Sequence, residues 1–257
     1  ALEDRKARLL CKGLTPRPVD ERQLKWDAVI VSSGTPGVLL THFPPSKKRI
    51  YLAHTYPRGV KAWLFGRLYG LVATFAFELV TVSEYSADQF ARMWSVSRTA
   101  VTALPVPFSI PRDVSTPTLT PAAVKVLAVG SIEQDKHPFT FVDVAVELSI
   151  LAPHTSLKFV WIGDGSLREA VQDYAARHGL ASDISFPGLM PRTDVLRWYE
   201  WADFFLHLSS RESLGIAPIE ASFAGTRVIT SGAGGLAEGL AGRRLIFKIP
   251  ERDAHQI

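Results

Sequence analysis

A chain of 257 residues with 47% apolar and 21% charged residues has the balance of a soluble globular protein, long enough for two compact α/β lobes. Its formal net charge of +4 is compatible with anionic substrates or an anionic membrane surface, and is too mild to argue for nucleic acid. The single cysteine, Cys11, excludes an intrachain disulfide and a finger-type zinc site, and makes a reducing compartment the default.

In chain order, residues 27–32, 49–53 and 79–82 are apolar runs of strand length, and 62–78 and 87–94 fit helices. The greasy stretch 60–82 is broken by Lys61, Arg67 and Glu78, so no membrane-spanning helix is expected, and no secretory leader is visible at the start. Residues 62–77 are predicted as a core helix, with an interfacial helix presenting Trp63, Phe65, Leu68 and Tyr69 as the alternative. Pro105, Pro107, Pro111, Pro117 and Pro121 then crowd a stretch that can be neither helix interior nor central strand. The chain therefore divides into a first lobe over 1–104, a linker over 105–122 and a second lobe over 123–257.

The second lobe alternates regularly, with strands predicted over 124–129, 157–162, 184–186, 204–208 and 227–230 and helices over 139–151, 167–178, 194–201 and 218–224. Such alternation predicts an α/β fold with a parallel sheet covered on both faces. Ligands then bind at the carboxyl ends of the strands, where the glycines of this sequence collect. The first lobe follows the same grammar with fewer strands than a doubly wound domain, so it is expected to be incomplete.

The most informative stretch runs from Phe204 to Gly225, where Glu212 and Glu220 stand eight positions apart on either side of Gly215 and Pro218. Pro218 suits a first helical turn, where its missing N–H costs nothing. A strand, a glycine-containing loop and a fresh helix N-terminus present unpaired backbone N–H groups to a phosphate. A carboxylate one turn inside that helix can accept two hydroxyl hydrogen bonds from a sugar ring, each worth roughly 1.5–3 kcal/mol net. The pattern predicts a nucleotide-sugar site.

The run 202–212, then Ile219-Glu220-Ala221, then Gly234-Gly235-Leu236-Ala237-Glu238, resembles the donor-site block of the retaining GT-B glycosyltransferases of family 4, the glycosyl transferases of group 1. Gly130 with Lys136 six residues on, Gly163-Asp164-Gly165, Phe186-Pro187-Gly188, His54 and Ser83-Glu84 match the same family. The resemblance covers about 27–257. It implies a GT-B fold of two Rossmann-like lobes with parallel sheets, an incomplete N-terminal lobe on the acceptor side and a C-terminal lobe for the donor. Family members extend further at both ends, so an opening strand and closing helices are expected to be missing. By the resemblance, Glu212 contacts the donor sugar hydroxyls, Glu220 grips the ribose, and the backbone of Leu214, Gly215 and Ile216 meets the distal phosphate. Lys136 neutralises the diphosphate and His54 lines the reacting centre, while Gly130, Ser131, Gly163 and Glu238 complete the donor site. His54, Glu212 and Lys136 are thus the catalytic candidates. The implied activity is transfer of a hexose from a UDP- or GDP-sugar to a hydroxyl of a glycan or lipid-linked acceptor, with retention of anomeric configuration and without metal or other cofactor. The implied place is the cytoplasm, with peripheral contact at the inner face of a membrane through 62–77.

The match has departures. Ser131 stands where the family usually has Arg, which leaves Lys136 more of the neutralising work, with Arg58, Arg192 and Arg211 as candidate substitutes. Ser213 and Leu214 stand where a glycine and an aromatic are usual. These departures keep open a non-catalytic nucleotide-sugar-binding or assembly module and, on the same scaffold, a sugar-nucleotide epimerase. Plain alternatives also exist for single residues: a dipole-favoured carboxylate for Glu220, a solvated loop charge for Glu212, a structural histidine for His54 and a helix cap for Glu238. A lysine near a helix N-terminus is electrostatically unfavourable, which points Lys136 towards function. His207, inside a predicted buried strand, reads as structural, and His42, His137, His154, His178 and His255 have no metal-ligand spacing among them.

Overall fold

The computed structural model describes residues 26–32, 46–54, 66–104, 123–242 and 246–248. The predicted linker over 105–122 lies outside the described residues, as do Trp63 and Phe65 of the segment 62–77.

The first sheet holds β1 (Trp26–Ser32), β2 (Ser46–Ala53), β3 (Glu78–Thr81) and β4 (Val101–Ala103), paired in that order and all parallel. Helices α1 (Gly66–Ala76) and α2 (Glu84–Trp94) connect β2 to β3 and β3 to β4. Ala73 is buried on α1 while Leu71 and Phe75 on the same helix are exposed. Tyr51, Phe77, Phe90 and Trp94 form the centre of this lobe's core, with the Tyr51 ring stacked on Trp94 at 5.8 Å. Burial pushes the Tyr51 phenol up to about 12. Helix α2 begins at Ser83, whose side chain accepts from the Ser86 N–H, and ends at Ser95 in the left-handed conformation.

The second sheet has the order β10-β9-β8-β5-β6-β7 and is again wholly parallel. Its strands are β5 (Val124–Val129), β6 (Leu157–Ile162), β7 (Ile184–Gly188), β8 (Phe204–His207), β9 (Arg227–Thr230) and β10 (Ile246–Lys248). Helices α3 (Pro138–Leu151), α4 (Arg168–Arg177), α5 (Arg192–Trp201), α6 (Ile216–Phe223) and the short α7 (Leu236–Gly239) fill the connections. Alternate side chains go to opposite faces, as the pleat requires. Leu127, Val160 and Phe205 enter a core with Tyr199 and Ile219 on one side, while Val126, Phe159 and Leu206 meet Phe141 and Val171 on the other. Asp203, 2% exposed, fixes the start of β8: its carboxylate accepts from the Lys125 N–H at 2.9 Å while its own N–H donates to the Lys125 carbonyl at 3.0 Å.

From β5 the chain runs outward through β6 and β7, then returns to build β8, β9 and β10 on the other side. The loops after β5 and β8 therefore diverge, and the crevice between them is the topological switch point at which open α/β sheets bind ligands. Val82, which follows β3 of the first lobe, is 5% exposed and packs into the second lobe's core with Leu214 and Leu236. The two lobes thus meet beside this crevice.

Candidate functional site

Two loops frame the crevice. After β5, Gly130 and Ser131 lead into a short helical turn, Gln134–Lys136, which is followed by His137 at φ 52° and by Pro138 at the start of α3. Ser131 is exposed. Gly163, at the end of β6, abuts the Gly130 carbonyl so closely that a Cβ would overlap it. The Glu133 carboxylate accepts from the Ser166 hydroxyl at 2.6 Å and from the Ser166 N–H at 2.8 Å, which holds it below the usual carboxylate range and ties the β5 and β6 loops together. Across the crevice, the Ser210 N–H donates to the Asp135 carbonyl at 3.0 Å. That bond brings the Lys136 turn against the loop that carries Glu212.

Lys136 Nζ pairs with Glu212 Oε1, and His207 Nε2 lies 3.2 Å from the same oxygen. The imidazole contact is close but off-line, so Nε2 has no aligned hydrogen bond. Burial by itself raises the Glu212 carboxyl, but His207 and then Lys136 outweigh it and bring the group down to about 2. Glu212 is thus held anionic, with Oε1 taken by two neighbours; among the described residues no hydrogen bond reaches Oε2. Gly130, Lys136, Trp161, His207 and Ser209 line the adjoining pocket.

Eight residues beyond Glu212, Glu220 is 5% exposed on α6. Its Oε1 accepts from Arg192 Nε at 2.9 Å and lies 2.7 Å from Arg192 Nη2, while Oε2 accepts from the Tyr199 hydroxyl at 3.1 Å. Burial, and then the neighbouring Glu220 charge, push the Tyr199 phenol upward, so it stays a donor. Arg192, considered from sequence as a substitute for the missing Ser131 cation, is therefore engaged with Glu220. Arg211 is exposed and Arg58 lies outside the described residues. Between the two glutamates, Leu214 is buried, Gly215 caps α6 at φ 76° and Ile216 is half-exposed. Among the described residues the N–H groups of Leu214 and Gly215 have no acceptor, and the first-turn N–H groups of α6 have none within their own helix.

A third set of contacts joins the lobes. The Ser83 and Ser86 hydroxyls donate to the Ser213 carbonyl at 2.5 and 3.0 Å, next to Glu212. The Glu238 carboxylate accepts from the Glu84 and Tyr85 N–H groups at 2.8 and 2.7 Å, capping α2 of the other lobe. Gly235 sits against Ser83 and Ser213 with no room for a Cβ. In this arrangement Glu238 is a cap, formed across the lobes rather than within one helix. His54 is exposed immediately after β2; the pairing of Ala53 with Thr81 places it at the same sheet edge as the Ser83 turn.

The structure thus unites Lys136 with Glu212, and Gly130 with Gly163. It places Glu220 in its own cluster with Arg192 and Tyr199, and Glu238 at the lobe boundary. His207, read from sequence as structural inside a buried strand, is buried at the carboxyl end of β8, with Nε2 beside Glu212 Oε1. Among the described residues no group of three or more His, Cys, Asp or Glu side chains could hold a metal ion, and no helix is long and apolar enough to cross a membrane.

Comparison with known proteins bears on the family and the fold. The chain is 38% identical over 104 residues to the Vi polysaccharide biosynthesis protein VipC/TviE of Salmonella typhi, covering 40% of this chain and 17% of the relative. It is 28% identical over 179 residues to the glycogen synthase of Mycobacterium tuberculosis, covering 70% of this chain and 41% of the relative. The chain therefore spans less than half the length of these curated relatives. In fold it matches S. aureus TarM, solved with UDP, alpha-GlcNAc-glycerol and Fondaparinux, at a TM-score of 0.68 and 14% identity over 88% of this chain and 47% of that one. The family model of the glycosyl transferases group 1 matches residues 119–253, which take in both crevice loops, and the chain belongs to that family.

Proposed function

We propose that this chain carries the donor site of a glycosyltransferase that moves a hexose from a nucleoside-diphosphate sugar to an acceptor hydroxyl with retention of anomeric configuration. The observation that carries the reading is the meeting, at the switch point, of the Leu214 and Gly215 N–H groups, which find no acceptor among the described residues, with an anionic Glu212 held by Lys136. The amides and the α6 N-terminus suit a diphosphate, and the carboxylate suits sugar hydroxyls. The UDP in the TarM complex supports a nucleoside diphosphate as the ligand class.

In the proposed reaction the bond between the anomeric carbon and the diphosphate oxygen breaks, and the diphosphate keeps the electron pair. The acceptor oxygen bonds to the same face of that carbon, and its proton passes to the departing phosphate. Lys136 and the loop amides stabilise the charge that develops on the diphosphate. Glu212 has no acid role in this scheme, since a general acid needs a raised carboxyl and this one is lowered. His54, on the sheet edge beside the Ser83 turn, is assigned to the acceptor side of the centre.

UDP or GDP should raise the melting temperature of the protein in proportion to binding, and Glu220→Ala should remove most of that rise. An unchanged shift in the variant would refute the ribose role of Glu220. The exposed Ser131, where the family usually has a cation, favours a second reading: a binder without turnover. A transfer assay on the intact gene product separates the two, with the anomeric configuration of the product read by NMR.

A further inference from the structure

We propose that His207 is a positioning residue: with Lys136 it gathers on Oε1 of Glu212 and so turns Oε2 towards the donor sugar. The inference rests on the donor-site reading of Glu212 and deepens it. His207 is the last residue of β8 and is 7% exposed, with its ring stacked against Phe205 at 6.4 Å. Its backbone carbonyl is fixed by the Ser231 N–H at 3.0 Å. The imidazole therefore projects from the buried end of a paired central strand, whereas Glu212 lies on a loop. Nε2 stands 3.2 Å from Oε1 of Glu212 without an aligned hydrogen bond.

A buried N–H left off-line is penalised, so a small rotation of Glu212 that recovers the bond is favoured. That rotation keeps Oε1 on the two fixed donors and leaves Oε2 as the oxygen open to a ligand. The charged groups that meet at this point are Glu212 and Lys136, from the loops after β8 and β5. The pocket wall next to them is otherwise Gly130, Trp161 and Ser209.

The test compares His207→Leu, His207→Gln and His207→Asn in the intact gene product. A glutamine places its amide nitrogen near the position of Nε2, and an asparagine near that of Nδ1. The first readout is the titration of the Glu212 carboxyl by carbon-13 NMR, assigned with Glu212→Gln. The midpoint should rise in His207→Leu and His207→Asn and stay low in His207→Gln. The second readout uses UDP-glucose and GDP-mannose beside UDP and GDP. In His207→Leu the affinity for the bare nucleotide should hold within about twofold, while kcat with the matching sugar nucleotide falls by about 10- to 100-fold, the scale of a displaced contact. His207→Gln should recover most of that loss.

An unmoved Glu212 titration overturns the proposal, and so does a moved titration with normal turnover. Equal losses in Gln and Asn overturn it too, including where His207→Leu fails to fold. If the wild-type protein binds neither nucleotide, the donor-site reading falls and the sugar-facing role of Oε2 falls with it. The titration then still decides whether His207 orients Glu212.

Discussion

Replacing Glu238 with alanine should loosen the contact between the lobes in a pattern that individual amides report. The carboxylate accepts from the Glu84 and Tyr85 N–H groups at 2.8 and 2.7 Å, and these are first-turn donors that their own helix cannot satisfy. Glu238 and Glu84 are exposed, so the value of a surface cap applies rather than that of a buried ion pair. Loss of a capping side chain costs about 1 kcal/mol, and removal of a negative charge from a helix N-terminus adds about 0.3–1 kcal/mol. The sum, about 1–2 kcal/mol, corresponds to a roughly 5- to 30-fold larger population of the separated form. Amide hydrogen exchange by NMR measures it directly. Glu84 and Tyr85 should exchange faster by that factor. Ser86, whose N–H is held by the Ser83 hydroxyl at 3.1 Å, should change little. Glu238→Gln, which keeps one acceptor oxygen without the charge, should fall between. Equal acceleration at all three amides would mean that α2 frays as a unit, and no acceleration at Glu84 and Tyr85 would mean that the cap carries no load; either result refutes the reasoning.

Three further outcomes can be checked. Glu212 titrates near 2 in the folded protein against an ordinary value of 4.5, so its contribution is complete above pH 4.5 and is lost as pH falls towards 2. Linkage makes that contribution about 3 kcal/mol, so urea midpoints should drop between pH 6 and pH 3 in the wild type and drop less in Glu212→Gln. Tyr199→Phe removes the donor to Oε2 of the buried Glu220 and should destabilise by about 1.5–3 kcal/mol, read as a lower melting temperature. Gly235→Ala adds a methyl that overlaps the Ser213 carbonyl and lies 2.5 Å from the Ser83 hydroxyl, at a backbone angle, φ −74°, that any residue accepts. Its cost is therefore steric, about 1–3 kcal/mol, and a Ser83→Gly background should restore part of it in the same melting experiment.

Most of the second lobe was legible because its strands are apolar runs between glycines, a signal that depends only on burial on both faces. β4 and β10 were not foreseen, because three residues carry no period and their strand state comes from pairing with β3 and β9. The predicted helix over 218–224 begins earlier, at Ile216, since Gly215 rather than Pro218 supplies the turn into it. Lys136 and Glu212 were legible as a pair of chemical types but not as partners. Their meeting depends on the Ser210 bond to Asp135 between loops that are remote in sequence. The environment of Glu220 was hidden for the same reason, since Tyr199 and Arg192 come from α5 and no local pattern links them to α6. The lobe contact through Ser83, Ser86 and Glu238 is longer in range still, spanning 154 positions between Glu84 and Glu238.

The two glutamates differ in how a ligand can reach them. In the proposed site Glu212 offers Oε2 without displacing any partner among the described residues, because Lys136 and His207 lie against its other oxygen. Glu220 has both oxygens engaged, so in the proposed site a ribose hydroxyl either shares an oxygen with Arg192 or Tyr199 or replaces one of them. Tyr199 is fully buried and its phenol is held as a donor, so Oε2 is locked. Arg192 has a side chain that is 61% exposed while that of Glu220 is 7% exposed, so Arg192 is the partner that water reaches. A sugar hydroxyl donating to the freed carboxylate oxygen contributes about 1.5–3 kcal/mol. On the proposed reading the ligand therefore enters on the Arg192 side, where the partner is exposed, and not on the Tyr199 side, where it is buried. In the proposed donor site, nucleotide binding at Glu220 would then loosen the exposed Arg192 partner and leave the buried Tyr199 contact in place.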